Sequence, residues 1–177
     1  MRILDIGCGK RKADKAIGID ELTDSDADIV LNLEAFPWPI KSDSFDLIFC
    51  RHILEHLDDV VKSMEEIHRI SRPGAKVIIE VPHFSHPDAF RDPTHKHYFS
   101  FFTIEYFTGN PLYPQYCSAR FKILRRDIKA TSGINRFLSS RLKPALYEER
   151  FSRMFPAYGL YLELEALKGK ITREVRI

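Results

Sequence analysis

Two carboxylates and three glycines near the start of the chain form its densest chemical pattern: Asp5-Ile6-Gly7-Cys8-Gly9, then Gly18-Ile19-Asp20. A Gly-x-Gly turn brings backbone close to a ligand because neither glycine carries a Cβ. A carboxylate closing the next strand can accept hydrogen bonds from both hydroxyls of a ribose. A dinucleotide turn needs a third glycine so that a helix N-terminus can press onto a pyrophosphate, and here Lys10, Arg11 and Lys12 follow instead. The pattern therefore fits a nucleoside without a pyrophosphate and disfavours a nicotinamide-dependent oxidoreductase.

Imidazoles form the second chemical group. His52 stands in Arg51-His52-Ile53-Leu54-Glu55-His56-Leu57, and His83, His86, His95 and His97 crowd residues 83–99 beside Asp88, Asp92 and several aromatic rings. Histidine is the commonest metal ligand, but the spacing of these four matches no zinc pattern, so no metal is expected. Two readings of His95 stay open: a base that takes a proton from an acceptor hydroxyl, or a ring that pins its loop. Glu55 and His56 are expected at a helix entrance, where His56 packs or caps.

These groups need strands and helices to hold them. Residues 2–6 read as a buried strand and residues 16–19 as a second, ending at Asp20. Residues 28–34 carry a short apolar core between polar ends, and a Pro-rich loop, Phe36-Pro37-Trp38-Pro39, leads towards a strand that ends near Cys50. Val60, Val61, Met64, Ile67 and Ile70 recur at helical spacing, with Asp58 or Asp59 as N-cap and Arg72-Pro73-Gly74 as the stop. Residues 75–81 predict a buried strand, Thr103-Ile104-Glu105-Tyr106-Phe107 a short helix, and Asn110-Pro111-Leu112-Tyr113 a turn. Strand-like runs at residues 121–128 and 161–167 flank residues 135–154, which predict one or two helices interrupted at Pro144.

With 177 residues, 44% of them apolar, the chain suits a single domain spanning residues 1–177. It holds no apolar stretch long enough to cross a bilayer and no signal-peptide pattern, and its three cysteines are unpatterned, so a reduced cytoplasmic setting without membrane insertion is expected. Residues 115–177 hold 14 Lys and Arg against 6 Asp and Glu, while residues 1–114 hold 13 against 19. The basic charges are spread among apolar residues at helical spacing, which reads as a solvated face in preference to an anion-binding patch.

The ordered motifs over residues 3–82 resemble those of the class I S-adenosylmethionine-dependent methyltransferases, in a type 11-like subgroup with a short first crossover. Asp5-x-Gly7-x-Gly9 resembles that family's first motif, Ser44-Phe45-Asp46 its lead into the central strand, and residues 51–57 its His-x-Leu-Glu-His-Leu. Arg91-Asp92-Pro93-Thr94-His95 resembles the substrate loop of several small-molecule and glycan methyltransferases. The resemblance implies an α/β, doubly wound, seven-stranded, mostly parallel sheet of order 3-2-1-4-5-7-6, Rossmann-like, with reduced N-terminal helices. It implies S-adenosylmethionine as cofactor, with Asp5 at the methionine end, Gly7 and Gly9 at the close approach, and Asp20 on the ribose. Asn32 and Leu33 would border the adenine, and Cys50 would line the cofactor from the end of the fourth strand. His52, just past that strand, would lie beside the sulfonium and with His95 forms the expected catalytic pair.

The implied reaction is methyl transfer to an oxygen or nitrogen of a small-molecule or glycan-type acceptor; aromatic residues such as Phe84, Tyr98, Phe99 and Phe102 are available to line the acceptor pocket, with core packing the favoured place for most of them. Nucleic acid is disfavoured as acceptor, because Cys50-Arg51-His52-Ile53 replaces the Asn/Asp-Pro-Pro-aromatic motif of nucleic-acid amino-methyltransferases. A non-catalytic adapter on the same fold is the alternative. Two departures stand out: residues 10–15 are too few for a helical crossover, and Asn32 stands where relatives often have Asp. A thinly covered sheet face near the first two strands predicts self-association as a homodimer.

Overall fold

The computed structural model describes residues 1–112, 117–130, 133, 137 and 141–169. Strand β1 (Ile3–Ile6), β2 (Ile17–Asp20), β3 (Ile29–Val30), β4 (Phe45–Arg51), β5 (Ser71–Pro82), β6 (Phe121–Lys129) and β7 (Gly159–Ala166) form one sheet in the order β3-β2-β1-β4-β5-β7-β6. The first five run parallel, while β7 is antiparallel to both β5 and β6. Leu4, Ile6, Ile48, Val77 and Leu164 are fully buried, so the β1, β4, β5 and β7 strands carry the core while their polar ends reach the sheet edges.

The helix α1 (Val60–Ile70) follows from its apolar spacing. Asp59 caps it by accepting the Lys62 N–H at 2.9 Å, and Met64, Ile67 and Ile70 are buried. It stops at Ser71, which already belongs to β5, so Arg72-Pro73-Gly74 lies inside the strand instead of ending the helix. Residues 72–75 stand opposite Asp46 alone, because Ser71 pairs with Phe45 and Lys76 with Leu47. Gly74 absorbs this bulge with φ +75°.

Two short elements, α2 (Asp88–Arg91) and a 3-10 helix (Thr103–Phe107), sit in the segment after β5. The break expected at Pro144 is found: Arg141 is helical, residues 142–143 are not, and Pro144 opens α3 (Pro144–Arg150), where its missing N–H costs nothing. Much of the rest of the helical stretch expected over residues 135–154 lies outside the described residues, as do Tyr113 and residues 170–177. Among the described residues, turns and coil alone join β1 to β2, as the short crossover predicts.

Candidate active site

Parallel pairing sets the tips of β1 and β4 side by side: Ile6 is in register with Cys50, and Ile19 of β2 with Ile6. The chain leaves β1 through Gly7 at φ +65° and Gly9 at φ +53°. The two glycines do different work. A Cβ on Gly7 would meet Ile53 side-chain atoms at 2.6–2.7 Å, so this glycine is required by packing. A Cβ on Gly9 would meet nothing within 4 Å, so this glycine leaves space open.

That space belongs to a cavity of about 430 Å³ lined by the Gly7–Gly9 turn together with Arg11, Arg51, His52 and Glu80. Asp20, only 7% exposed, is fixed against this turn: one carboxylate oxygen accepts the Gly9 N–H at 2.8 Å and the other the Leu22 N–H at 2.9 Å. A carboxylate has about four acceptor sites, so two remain for hydroxyls. Asp5 is 1% exposed and works through a neighbour. Its Oδ2 accepts from Arg51 at 2.6 Å and from the Ala13 N–H at 2.7 Å, while Oδ1 is buried without a partner. Arg51 also donates to the Arg11 carbonyl at 3.0 Å, which holds the wall of the cavity in place.

The side chains of Leu33 and Cys50 belong to the core, at 2% and 0% exposure, so only their backbone can border a ligand. Burial pushes the Cys50 thiol far up, and the Cys8 thiol is raised by burial and then by Asp20 and Asp5. Neither is a nucleophile at neutral pH. Asn32 is exposed, and its side-chain oxygen is taken by the Glu34 N–H at 2.8 Å, leaving its amide N–H groups free to donate.

A second cleft, of about 600 Å³, adjoins the first. His52, Pro82, Asp92, His95 and Tyr158 are among its lining residues. His52 therefore borders both spaces. Its backbone has φ +55°, a left-handed conformation that costs a non-glycine residue about 1–3 kcal/mol and that the Glu80 carbonyl secures by accepting its N–H at 2.8 Å. Its Nδ1 lies 3.2 Å from Glu55 Oε1. That carboxylate raises the His52 imidazole above its ordinary value, against the opposing pull of burial.

The other groups singled out on this side of the molecule take the following places. Glu55 and His56 do not enter a helix; they sit in a turn ahead of α1, with Glu55 1% exposed and His56 Nδ1 2.9 Å from Thr94 Oγ1. Tyr98, Phe99 and Phe102 do not line the His52 cleft; they line a separate cavity of about 510 Å³ beside the start of α1. Phe84 packs against His83. His83 is itself fully buried, with Nε2 3.0 Å from Glu148 Oε2 and Nδ1 accepting from Ser85, so it is a structural group.

Arg51, Arg11 and Glu80 are cavity residues that sequence reasoning missed. Arg51 was legible as the residue closing β4, and Glu80 as the in-register partner of Arg51 on β5.

Residues 4–79 match the model of a family described as a methyltransferase domain. Norajmaline N-methyltransferase from Rauvolfia serpentina is 35% identical over 65 residues, which are 37% of this chain and 20% of that protein. The S-adenosylmethionine-dependent methyltransferase from Mesorhizobium loti shares the fold with a TM-score of 0.58 at 17% identity, over 93% of this chain and 90% of that one. An S-adenosylmethionine-dependent methyltransferase from Archaeoglobus fulgidus gives 0.60 at 16% identity, over 93% of this chain and 85% of that one. Residues 4–79 therefore match a methyltransferase domain, and the chain shares the fold of S-adenosylmethionine-dependent methyltransferases.

The cofactor of such a methyltransferase carries a ribose diol, an amino-acid end and a sulfonium, and no pyrophosphate. The site fits it. Asp20 has acceptor sites to spare for a diol, Gly9 leaves backbone open to approach, and Arg11 and Arg51 present guanidinium groups that suit a carboxylate. The methyltransferase sheet order anticipated from the motifs is the one found. Among the described residues, no helix is long and apolar enough to cross a membrane.

Proposed function

We propose that the protein moves the methyl group of S-adenosylmethionine to an oxygen or nitrogen of a small-molecule or glycan-type acceptor, with His52 as the catalytic base. The observation that carries this reading is that His52 forms a wall common to the cofactor-side cavity and the cleft holding His95. When bound, S-adenosylmethionine supplies a methyl group on a sulfonium. Asp20 accepts from the ribose hydroxyls, Arg51 and Arg11 hold the amino-acid carboxylate, and Asn32 with the Leu33 backbone borders the adenine. Asp5 orients Arg51. With Nδ1 turned to Glu55, His52 offers Nε2 to the acceptor proton. His95 faces the same cleft and lies within reach of the acceptor. Holding donor and acceptor in line is the remaining task of the two walls.

Titration with S-adenosylhomocysteine and with NAD tests the cofactor, and methyl release in the presence of candidate acceptors tests turnover. His52→Asn is expected to lower kcat by about 10²–10⁴-fold, the usual worth of a positioned base, and to leave S-adenosylhomocysteine affinity within about twofold. Binding without transfer to any acceptor would favour the adapter, and an unchanged kcat in His52→Asn would remove the base.

The reading extends to self-association in a cytoplasmic setting. Leu22, Ile29 and Val30 are 61%, 49% and 55% exposed along the β2–β3 edge, and a second copy is the partner proposed for them. The three cysteines are free and buried, which suits a reducing compartment. A monomer in sedimentation runs at tens of micromolar would dispose of the dimer.

A further inference from the structure

Glu55, His56 and His95 come from turns about forty residues apart, yet one ligating atom from each lies within 4.8 Å of those of the other two. The Glu55 carbonyl draws the segments together by accepting the Lys96 N–H at 2.8 Å and the His97 N–H at 3.2 Å. The His56 and His95 rings then meet edge to face, 4.7 Å between centroids.

The hydrogen bonds around the two rings settle their tautomers. Thr94 Oγ1 donates to Asp92 Oδ1 at 2.7 Å, so it must accept from His56, whose Nδ1 is 2.9 Å away and therefore carries the proton. His95 Nδ1 lies 3.0 Å from the Ala89 carbonyl, which can only accept, so this nitrogen carries a proton too. Each neutral ring is left with a lone pair on Nε2. The Asp92–Thr94–His56 chain and the Ala89–His95 contact are outer partners of the kind that orient metal-bound histidines. Glu55 completes the set from the other side. Oε1 is engaged with His52, while Oε2 is buried with no hydrogen-bond partner. A buried carboxylate oxygen without a partner is costly unless something positive joins it, and a Glu55 carboxylate oxygen lies within 4.8 Å of one nitrogen of each ring.

We infer that Glu55, His56 and His95 form a binding site for a divalent transition-metal ion. Two imidazoles and one carboxylate suit zinc, iron(II), cobalt or nickel over magnesium or calcium, and three protein ligands leave a position open to water or an acceptor oxygen. Ligands about 2.0–2.2 Å from an ion stand roughly 3.3 Å apart in a tetrahedral shell, so the cluster closes by side-chain movement on the order of 1 Å. His95 lines the cleft shared with His52, which puts the ion at the cleft wall. The site does not depend on methyl transfer.

The test is titration of Co²⁺ into the full chain, untagged and stripped with chelator, read by visible d–d absorption. One equivalent is expected to bind, competed out by Zn²⁺. Glu55→Gln and His95→Ala are expected to weaken it at least tenfold, and Thr94→Val, which keeps all three ligands, by about 10–100-fold. S-adenosylhomocysteine affinity measured in the same samples serves as the folding control. Less than one equivalent in the unmodified chain overturns the site, leaving a water on Glu55 Oε2 as the occupant. So does an affinity unchanged in Glu55→Gln and His95→Ala. Failure here with S-adenosylhomocysteine still bound refutes only the metal, whereas Co²⁺ binding without S-adenosylhomocysteine binding refutes only the transfer reading.

Discussion

The two walls of the candidate site are built differently. On the cofactor side the groups stand at the tips of β1, β2 and β4, and their positions follow from backbone register: Ile6 beside Ile19 and Cys50 brings Gly7, Asp20 and His52 together. On the acceptor side, residues 83–101 are held mostly by tethers from distant parts of the chain. Glu148 accepts from His83 and from the Phe101 N–H, the Glu55 carbonyl accepts from Lys96 and His97, and Arg126 lies 3.7 Å over the Phe101 ring while donating to the Phe101 carbonyl. A strand tip is fixed by the whole sheet, whereas a tethered loop is only as secure as its few contacts. The family match ends at residue 79, just before the loop begins.

The strongest way to break this contrast is to cut one tether. Glu148→Ala leaves the fully buried His83 and the Phe101 N–H without their partner, and a loss of about 2–6 kcal/mol, the cost of two orphaned buried donors, is expected by urea unfolding. Hydrogen exchange should then speed up over residues 83–101 and stay slow in β1 and β4. Equal loss of protection in both regions would show that the walls are one cooperative unit.

Removing a group on the cofactor side should act on binding more than on folding. Asp20→Ala forfeits charge-assisted bonds to a diol, each worth about 1.5–3 kcal/mol, and a fall of about 100-fold in S-adenosylhomocysteine affinity by calorimetry is expected. An affinity within threefold of the parent would mean that the ribose lies elsewhere.

The smallest effect sharpens the comparison, because the cofactor half has tethers of its own. Glu66 binds Arg69 at 2.6 Å and accepts the Trp38 N–H at 2.7 Å, tying the Pro-rich loop to α1. Burial pushes its carboxyl up, but Arg69 and the Trp38 N–H outweigh burial and leave it lowered. A depressed folded-state value means that the contribution is complete above the unfolded-state value of about 4.3 and drains away as pH falls through the folded-state value. The melting temperature of the parent should therefore fall below about pH 4 more steeply than that of Glu66→Gln. Parallel curves would remove Glu66 from the acid transition.

Legibility in the sequence followed the same division. Gly7, Gly9 and Asp20 were readable because a strand tip imposes residue types at fixed spacing, and His52 because it closes the β4 motif. The role of Glu148 was not readable, since it depends on a histidine 65 positions earlier. Nor was the cluster of Glu55, His56 and His95: the spacing among the loop histidines argued against a metal, while the ligands that meet are drawn from two segments.

By itself, the sequence marked the strands, the central helix and the turns through their apolar spacing, and the resemblance of its motifs to a known family implied the order of those strands and the pocket at their ends, where few alternatives bury the same runs. The tertiary structure alone decided that Arg51 would turn to Asp5, that His52 would border two clefts, and that the loop carrying His95 would lie on Glu55. Those choices depend on side chains far apart in the chain competing for the same buried acceptors, and no local pattern of residues encodes which pair wins.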